Sequence, residues 1–149
     1  MNVINKILPI TLVLFSYSSI EYSHADNHFP ISRDSKEQVQ QGKLLYNQNC
    51  ASCHKEDLSG TKNWRSVDAD GHIVPPPLNG TAHTWHHSDE LLHSIIKYGF
   101  NNLVENYQGK MLGFGDKLND KEIDSILAYI KTYWPEDIYV RHLEMSKSN

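Results

Sequence analysis

The chain has 149 residues, of which 39% are hydrophobic and 21% are charged, and its formal net charge is −4. This length suits one small domain, and a mildly acidic chain without a basic stripe argues against a nucleic-acid partner. The core is expected to be modest, so an apolar group bound within it would add much of the buried apolar surface.

The first residues are typical of a secretory signal peptide. Lys6 precedes an apolar run over residues 7–20, and Ser23 and Ala25 place small side chains at the two positions that a signal peptidase recognises. The sequence therefore predicts a signal peptide over residues 1–25, cleavage after Ala25 and export to the periplasm. The alternative is an uncleaved membrane anchor, although the run is shorter than the roughly 20 apolar residues that a membrane span needs.

The first helix is predicted over residues 35–49, after a short N-terminal extension at residues 26–34. Ser35 and Gln38 are spaced as in a capping box at its start. Gly42 within a helix costs about 1 kcal/mol relative to alanine. A glycine there favours a second helix packed closely over it.

Directly after this helix come Cys50, Cys53 and His54, in the sequence Cys-Ala-Ser-Cys-His, and the chain has two cysteines in all. This spacing is typical of c-type haem attachment, in which the two thiols bind the porphyrin and the histidine binds its iron. A disulfide, a thioredoxin-like redox pair and a zinc site are the alternatives. The redox pair lacks a preceding strand, and the zinc site lacks a fourth ligand because no second cysteine pair follows.

A polar loop is predicted after the cysteine motif. Asp70 and Gly71 are typical of a tight turn, which favours a short hairpin over residues 64–74. The three prolines at residues 75–77 exclude a helix and offer carbonyl groups that can accept the outer ring N–H of His54. A stiff linker without that role is the alternative.

The second main helix is predicted to begin after Ser88, which suits the N-cap position, and to end at Gly99. Asp89 and Glu90 carry negative charge in its first turn, where the helix dipole favours it. Its apolar stripe consists of Leu91, Leu92, Ile95 and Ile96.

A glycine-rich loop over residues 109–115 carries Met111. Met1 would be removed with the signal peptide, and Met145 lies in a polar segment, so Met111 is the best-placed thioether for the open side of an iron. The alternative is that Met111 only fills the core, which is the commoner role of methionine.

The last helix begins at a capping box of Asn119 and Glu122. Pro135 stops it after Trp134. Residues 136–149 are polar and are predicted to form a tail that frays.

Between residues 35 and 134 the order of these parts resembles the class I cytochrome c family. The resemblance implies an all-α fold of few helices around one covalently bound haem c, with the first and last helices crossing at Gly42. In that family, the proline of a Pro-x-Leu-x-Gly run accepts the histidine N–H, and Pro76 matches it. Small bacterial monohaem cytochromes, which the wider pattern resembles, usually have proline after the methionine ligand, where this chain has Leu112, so a looser loop is expected.

The wider pattern resembles a group of small bacterial monohaem cytochromes. By this resemblance, Trp64 and Arg65 contact a haem propionate, a charge-assisted pairing that suits arginine. His83, His86 and His87 lie within five residues. They suggest either a second metal site for copper or zinc or a solvent-facing cluster without a metal.

The function implied is one-electron transfer rather than enzymatic catalysis, with His54 and Met111 as axial ligands. The expected partners are redox proteins, including a terminal oxidase or reductase, with membrane contact only if the signal is uncleaved. Six lysines flank the ligand-bearing segments and could form a docking surface: Lys43, Lys55, Lys62, Lys97, Lys110 and Lys117. The alternatives are a haem subunit of a larger dehydrogenase or copper enzyme, or a five-coordinate peroxidase or gas sensor if Met111 is not a ligand.

Overall fold

The structure, a computed structural model, describes residues 30–146, so the predicted signal peptide at residues 1–25 lies outside the described residues. Within that range there is no β-strand, which confirms the all-α prediction. The elements are α1 (Lys36–Asn49), α2 (Ala51–His54), a 3-10 helix (Thr84–His86), α3 (Asp89–Tyr98), α4 (Phe100–Leu103), α5 (Asp120–Lys131) and α6 (Glu136–Ser146). None of these helices combines the length and the apolar character that a membrane span needs.

Side-chain caps fix the starts of the long helices. The Ser35 hydroxyl accepts the Gln38 N–H at the start of α1. The Gln38 side chain, however, accepts the N–H of Ser32, so the capping box predicted there is only half formed. At the start of α5, Asn119 and Glu122 form the complete capping box that the sequence predicts.

Helices α1 and α5 cross in direct backbone contact at Gly42. A Cβ atom built on Gly42 would lie 1.8 Å from the carbonyl oxygen of Ser125, far inside van der Waals contact. Beside this point, the rings of Tyr46 and Tyr129 pack with their centroids 5.4 Å apart. The predicted close approach of a second helix at Gly42 is therefore confirmed.

A Gly42→Ala variant should lower the free energy of unfolding by about 2 kcal/mol or more, because overpacking at the crossing outweighs the helix-propensity gain of about 1 kcal/mol. Chemical denaturation followed by circular dichroism measures this change. Lys43→Ala, at the exposed neighbouring position, is the matched control and should change stability by less than about 0.5 kcal/mol. Equal effects of the two substitutions would contradict the crossing geometry.

The hairpin predicted over residues 64–74 is reduced to one antiparallel bridge between Val67 and Ile73. The reason lies in the side chain of Asp68, whose Oδ1 accepts the backbone N–H groups of Asp70 and His72. These bonds use backbone N–H groups within a tight turn. Such local bonds compete with the formation of a longer strand pair. The segment is therefore a turn rather than a pair of strands.

The prediction of a fraying tail at residues 136–149 was wrong as far as Ser146, where α6 ends. Tyr139 and His142 lie three residues apart on the inner face of α6 and are 6% and 0% exposed. Pro135 precedes the helix, and its carbonyl accepts the N–H of Tyr139. The polar composition of this segment concealed two side chains that are buried at helical spacing.

Candidate functional site

Two free thiols lie at the junction of α1 and α2. Cys50 follows the last residue of α1 and is half-buried, whereas Cys53 lies within α2 and is exposed. Burial, together with the neighbouring Cys53, raises the pKa of the Cys50 thiol to about 11. A thioredoxin-like pair needs a thiol whose pKa is lowered. The surroundings of Cys50 therefore disfavour the redox-pair alternative.

The ring of His54 is buried, and its two nitrogens have different surroundings. Nδ1 lies 2.9 Å from the carbonyl oxygen of Pro76, and because a carbonyl only accepts, Nδ1 must carry the hydrogen. Burial lowers the pKa of His54, which favours the neutral form of the ring. Within the described part of the chain nothing bonds to Nε2, which keeps its lone pair. This is the form in which a histidine binds a metal.

The acceptor of the His54 bond is held in place by the proline run itself. The N–H of Thr61 donates to Pro75 O at 2.9 Å. The hydroxyl of Thr84 donates to Pro77 O at 3.4 Å. Each of the three consecutive proline carbonyls thus accepts one hydrogen bond, and the run is more than a stiff linker.

The backbone turns sharply after the histidine, at Lys55. Its φ of +64° and ψ of 160° lie in a region that strongly favours glycine. The Tyr46 hydroxyl donates to Lys55 O at 2.8 Å, and the N–H of Gly60 donates to His54 O at 3.0 Å. These two bonds hold the strained turn and with it the position of the His54 ring.

A Lys55→Gly variant should raise the free energy of unfolding by about 1 kcal/mol, because glycine adopts the same backbone conformation without strain. Lys55→Ala removes the same charge but keeps the Cβ atom, and it should give no such gain. Guanidinium denaturation of both variants measures the difference. A stabilisation by alanine as large as that by glycine would show that backbone strain is not the cause.

Met111 lies in the loop between α4 and α5 and packs, half-buried, against the hydrophobic core. Leu112, which follows it, forms an isolated antiparallel bridge with Gly99. The N–H of Phe114 donates to Ile96 O at 2.9 Å, so this side of the loop is fixed to the C-terminal end of α3. Its role as an iron ligand stays a prediction.

Trp64 and Arg65 stack on each other in the loop after α2. The guanidinium carbon of Arg65 lies 4.2 Å from the centroid of the Trp64 ring. Among residues 30–146, the ring of Trp64 also stacks with that of His83, at 5.5 Å between centroids. Arg65 forms no salt bridge within residues 30–146, and an anionic group could therefore pair with it. Contact with a haem propionate stays a prediction.

The histidines do not gather around one point. His83 and His87 pack edge to face, and His86 stacks on Trp85 with centroids 3.6 Å apart. In the described range, one group of three possible metal ligands comes within 4.8 Å, and it consists of Asp68, Asp70 and His72. The structure thus favours the solvent-facing alternative for the cluster of residues 83–87.

The chemistry of these donors fits a covalently attached haem. Cys50 and Cys53 offer two free thiols, and His54 offers a neutral imidazole with an available nitrogen. A thioether is available on the loop of Met111. The segments that carry these donors and Pro76 also hold apolar side chains half-buried against the core, namely Ala51, Leu78 and Phe114. Such side chains suit contact with a large apolar ring.

Sequence comparison shows what the chain is similar to. The cytochrome subunit of fructose dehydrogenase from Gluconobacter japonicus is 29% identical over 118 residues, which is 76% of this chain and 22% of that protein. The chain thus spans about a fifth of the length of this relative. A family model described as cytochrome c oxidase, cbb3-type, subunit III matches residues 37–130, which include Cys50, Cys53, His54 and Met111 and end before α6. The protein therefore belongs to this family of class I c-type cytochromes, and membership implies a covalently bound haem c.

Proposed function

We propose that the protein is a periplasmic one-electron carrier with one haem c, attached through Cys50 and Cys53 and ligated by His54 and Met111. Membership of the cytochrome family supports electron transfer in general. The periplasmic location is supported by the signal-like sequence at residues 1–25. The carrier acts by exchanging electrons with protein partners rather than by converting a substrate.

One observation carries the proposal: the buried, neutral His54 donates through Nδ1 to Pro76 O and keeps its other ring nitrogen available beside two free thiols. A histidine that only filled the core would be expected to use both nitrogens, as His142 does with Trp85 O and Asp89 Oδ1. The Pro76 bond fixes the tautomer and the ring orientation, which a metal ligand requires.

A bound haem supplies an iron that changes between the ferric and ferrous states. His54 and Met111 would hold this iron, and the chain would keep its surroundings apolar. Methionine ligation favours the ferrous state and raises the reduction potential. The buried surroundings of His54 also raise the reduction potential, because a medium of low polarity disfavours the additional charge of the ferric form. The carrier should therefore exchange electrons with redox partners of high reduction potential.

Replacing Met111 by alanine should remove completely the weak near-red absorption band of sulfur-ligated ferric haem, and the ferrous protein should then bind carbon monoxide readily. Absorption spectroscopy of the holoprotein measures both. Met145→Ala, which changes the methionine in α6, should leave the band unchanged. A wild-type protein that lacks the band and binds carbon monoxide would contradict the axial assignment and would favour a five-coordinate peroxidase or gas sensor.

Partner docking is expected at the unpaired lysines of the ligand-bearing segments. Lys97 and Lys110 are unsuited, since they pair with Asp120 at 2.6 Å and with Asp68 at 2.8 Å. The remaining four exposed lysines form no salt bridge within residues 30–146: Lys43, Lys55, Lys62 and Lys117. An acidic surface on a redox partner would complement them, with an association rate that falls as salt is added.

A second candidate function is that of a haem subunit in a dehydrogenase complex. The relative from Gluconobacter japonicus, a dehydrogenase cytochrome subunit, favours this possibility. Purification from the native host distinguishes the two functions. A carrier should elute as a dissociable monomer, whereas a subunit should elute in a stable complex with a larger oxidoreductase.

A further inference from the structure

The loop that carries Met111 is attached to two separate parts of the molecule. After Met111 the backbone bonds to the end of α3, as described above. Before Met111, the carbonyl of Gln108 accepts the N–H of Ile73, and Gly109 forms a parallel bridge with Ile73. Both of these backbone contacts are made by Ile73, at the end of the turn at residues 68–73. Side-chain contacts between the loop and this turn therefore matter for the position of Met111.

The shorter of two such ion pairs joins Lys110, the residue next to Met111, to Asp68. The Lys110 ammonium lies 2.8 Å from Oδ2 of Asp68 and 3.8 Å from Oδ2 of Asp70. Asp68 uses its other oxygen, Oδ1, to accept the backbone N–H groups of Asp70 and His72. Its carboxylate is thus held by its own turn with one oxygen directed to the loop of Met111.

The Asp68 carboxylate does not require a metal ion to balance it. Asp68, Asp70 and His72 each bring a ligand atom within 4.8 Å of the others, yet the ammonium of Lys110 already lies against both carboxylates. The hydrogen bond from Lys110, followed by the N–H of His72, holds the pKa of Asp68 well below its usual range. The cation of this cluster is therefore supplied by the chain itself.

We propose that Asp68 is a positioning residue for Met111, acting through Lys110 to hold the loop of Met111 against the turn at residues 68–73. The inference rests on the proposed function, because it requires Met111 to be the ligand. Leu112, on the other side of Met111, is 68% exposed, and unlike a proline it does not stiffen the backbone. The ion pair of Lys110, the residue before Met111, supplies a restraint that Leu112 does not.

The test measures how strongly imidazole, a neutral ligand, binds the ferric holoprotein by displacing Met111. Asp68→Asn keeps the Oδ1 acceptor of the turn and removes the negative charge, and Lys110→Gln removes the positive charge. Each variant should bind imidazole about two- to fivefold more tightly than wild type, the range expected for one exposed ion pair. The double variant should match either single variant, because both changes break the same contact. Lys110→Arg should restore the wild-type affinity.

Two controls distinguish loss of this ion pair from a general effect of charge: a change of salt concentration and the substitution of a second lysine. Raising the salt concentration to 1 M should strengthen imidazole binding to wild type and leave Asp68→Asn unchanged, because salt screens an exposed pair. Lys117→Gln, which removes a lysine without an ion pair in the described residues, should behave as wild type. If Asp68→Asn binds imidazole as wild type does, or if Lys117→Gln has an equal effect, the proposal for Asp68 is overturned. A wild-type protein without the near-red band would overturn the proposed function as well.

Discussion

An Asp89→Asn variant should lose about 3–5 kcal/mol of unfolding free energy, because the substitution leaves the buried ammonium of Lys131 without its counter-charge. The Nζ atom of Lys131 lies 2.7 Å from Asp89 Oδ2, and the lysine side chain is 0% exposed. The second oxygen of Asp89 lies 2.8 Å from Nε2 of His142, which is equally buried. One carboxylate thus joins the start of α3 to the end of α5 and to α6.

Denaturant unfolding of the holoprotein measures this loss. Glu90→Gln is the matched control, because Glu90 also lies in the first turn of α3 but is exposed. That substitution should cost at most about 1 kcal/mol, the usual effect of one charge at a helix end. Adding Lys131→Met to Asp89→Asn should recover part of the stability by removing the unpaired charge. Equal costs for Asp89→Asn and Glu90→Gln would show that the buried pair contributes little.

The same network predicts how stability changes in acid. Burial acts to raise the pKa of Asp89, but the hydrogen bond from His142 and the charge of Lys131 outweigh it and hold the pKa below its ordinary value. A carboxyl whose pKa is lowered on folding stabilises the protein above its unfolded value of about 3.9 and loses this contribution as the pH falls. The acid part of the stability profile should therefore flatten in Asp89→Asn.

Replacing Cys50 and Cys53 together by alanine should abolish covalent haem attachment completely, since the chain has no other cysteine. Extraction with acidified acetone, which removes haem that is not covalently bound, should leave the wild type coloured and the double variant colourless. Loss of the haem should also loosen the packing, because the core of a chain this small depends on the apolar surface that the haem adds.

Ser52→Ala is the matched control for the cysteine variant. Ser52 lies between the two cysteines and is exposed, so its replacement should leave attachment and extraction unchanged. If the double variant retained its colour after extraction, the haem would be attached elsewhere or not through thioether bonds. A loss of haem in Ser52→Ala as large as in the double variant would show that the motif fails for reasons other than the thiols.

The local parts of this fold were predictable because short-range chemistry specifies them. The capping box at Asn119 depends on residues three positions apart, and the spacing of Cys50, Cys53 and His54 is itself the signal for attachment. Gly42 predicted a helix crossing because glycine destabilises a helix, and the close approach of a second helix explains why glycine is there. The family resemblance was needed to choose Pro76, because composition alone did not distinguish among the three prolines.

The parts that the sequence did not reveal depend on contacts between distant residues. Lys131 and Asp89 are 42 residues apart, and Lys110 and Asp68 are also 42 apart, so no local pattern joins them. The composition of residues 136–149 predicts a tail because polar side chains dominate it. Pro135 followed by Glu136 and Asp137 is a typical helix start, and that signal could have identified α6.

Haem attachment is measured by the mass of the intact mature protein, made in cells that attach c-type haem. We expect a single species whose mass exceeds that of the polypeptide by one haem and remains so after denaturation. The same spectrum would show whether the chain begins at Asp26, as cleavage after Ala25 requires. A colourless protein with the mass of the bare polypeptide would contradict haem attachment at Cys50 and Cys53 and the electron-transfer function built on it.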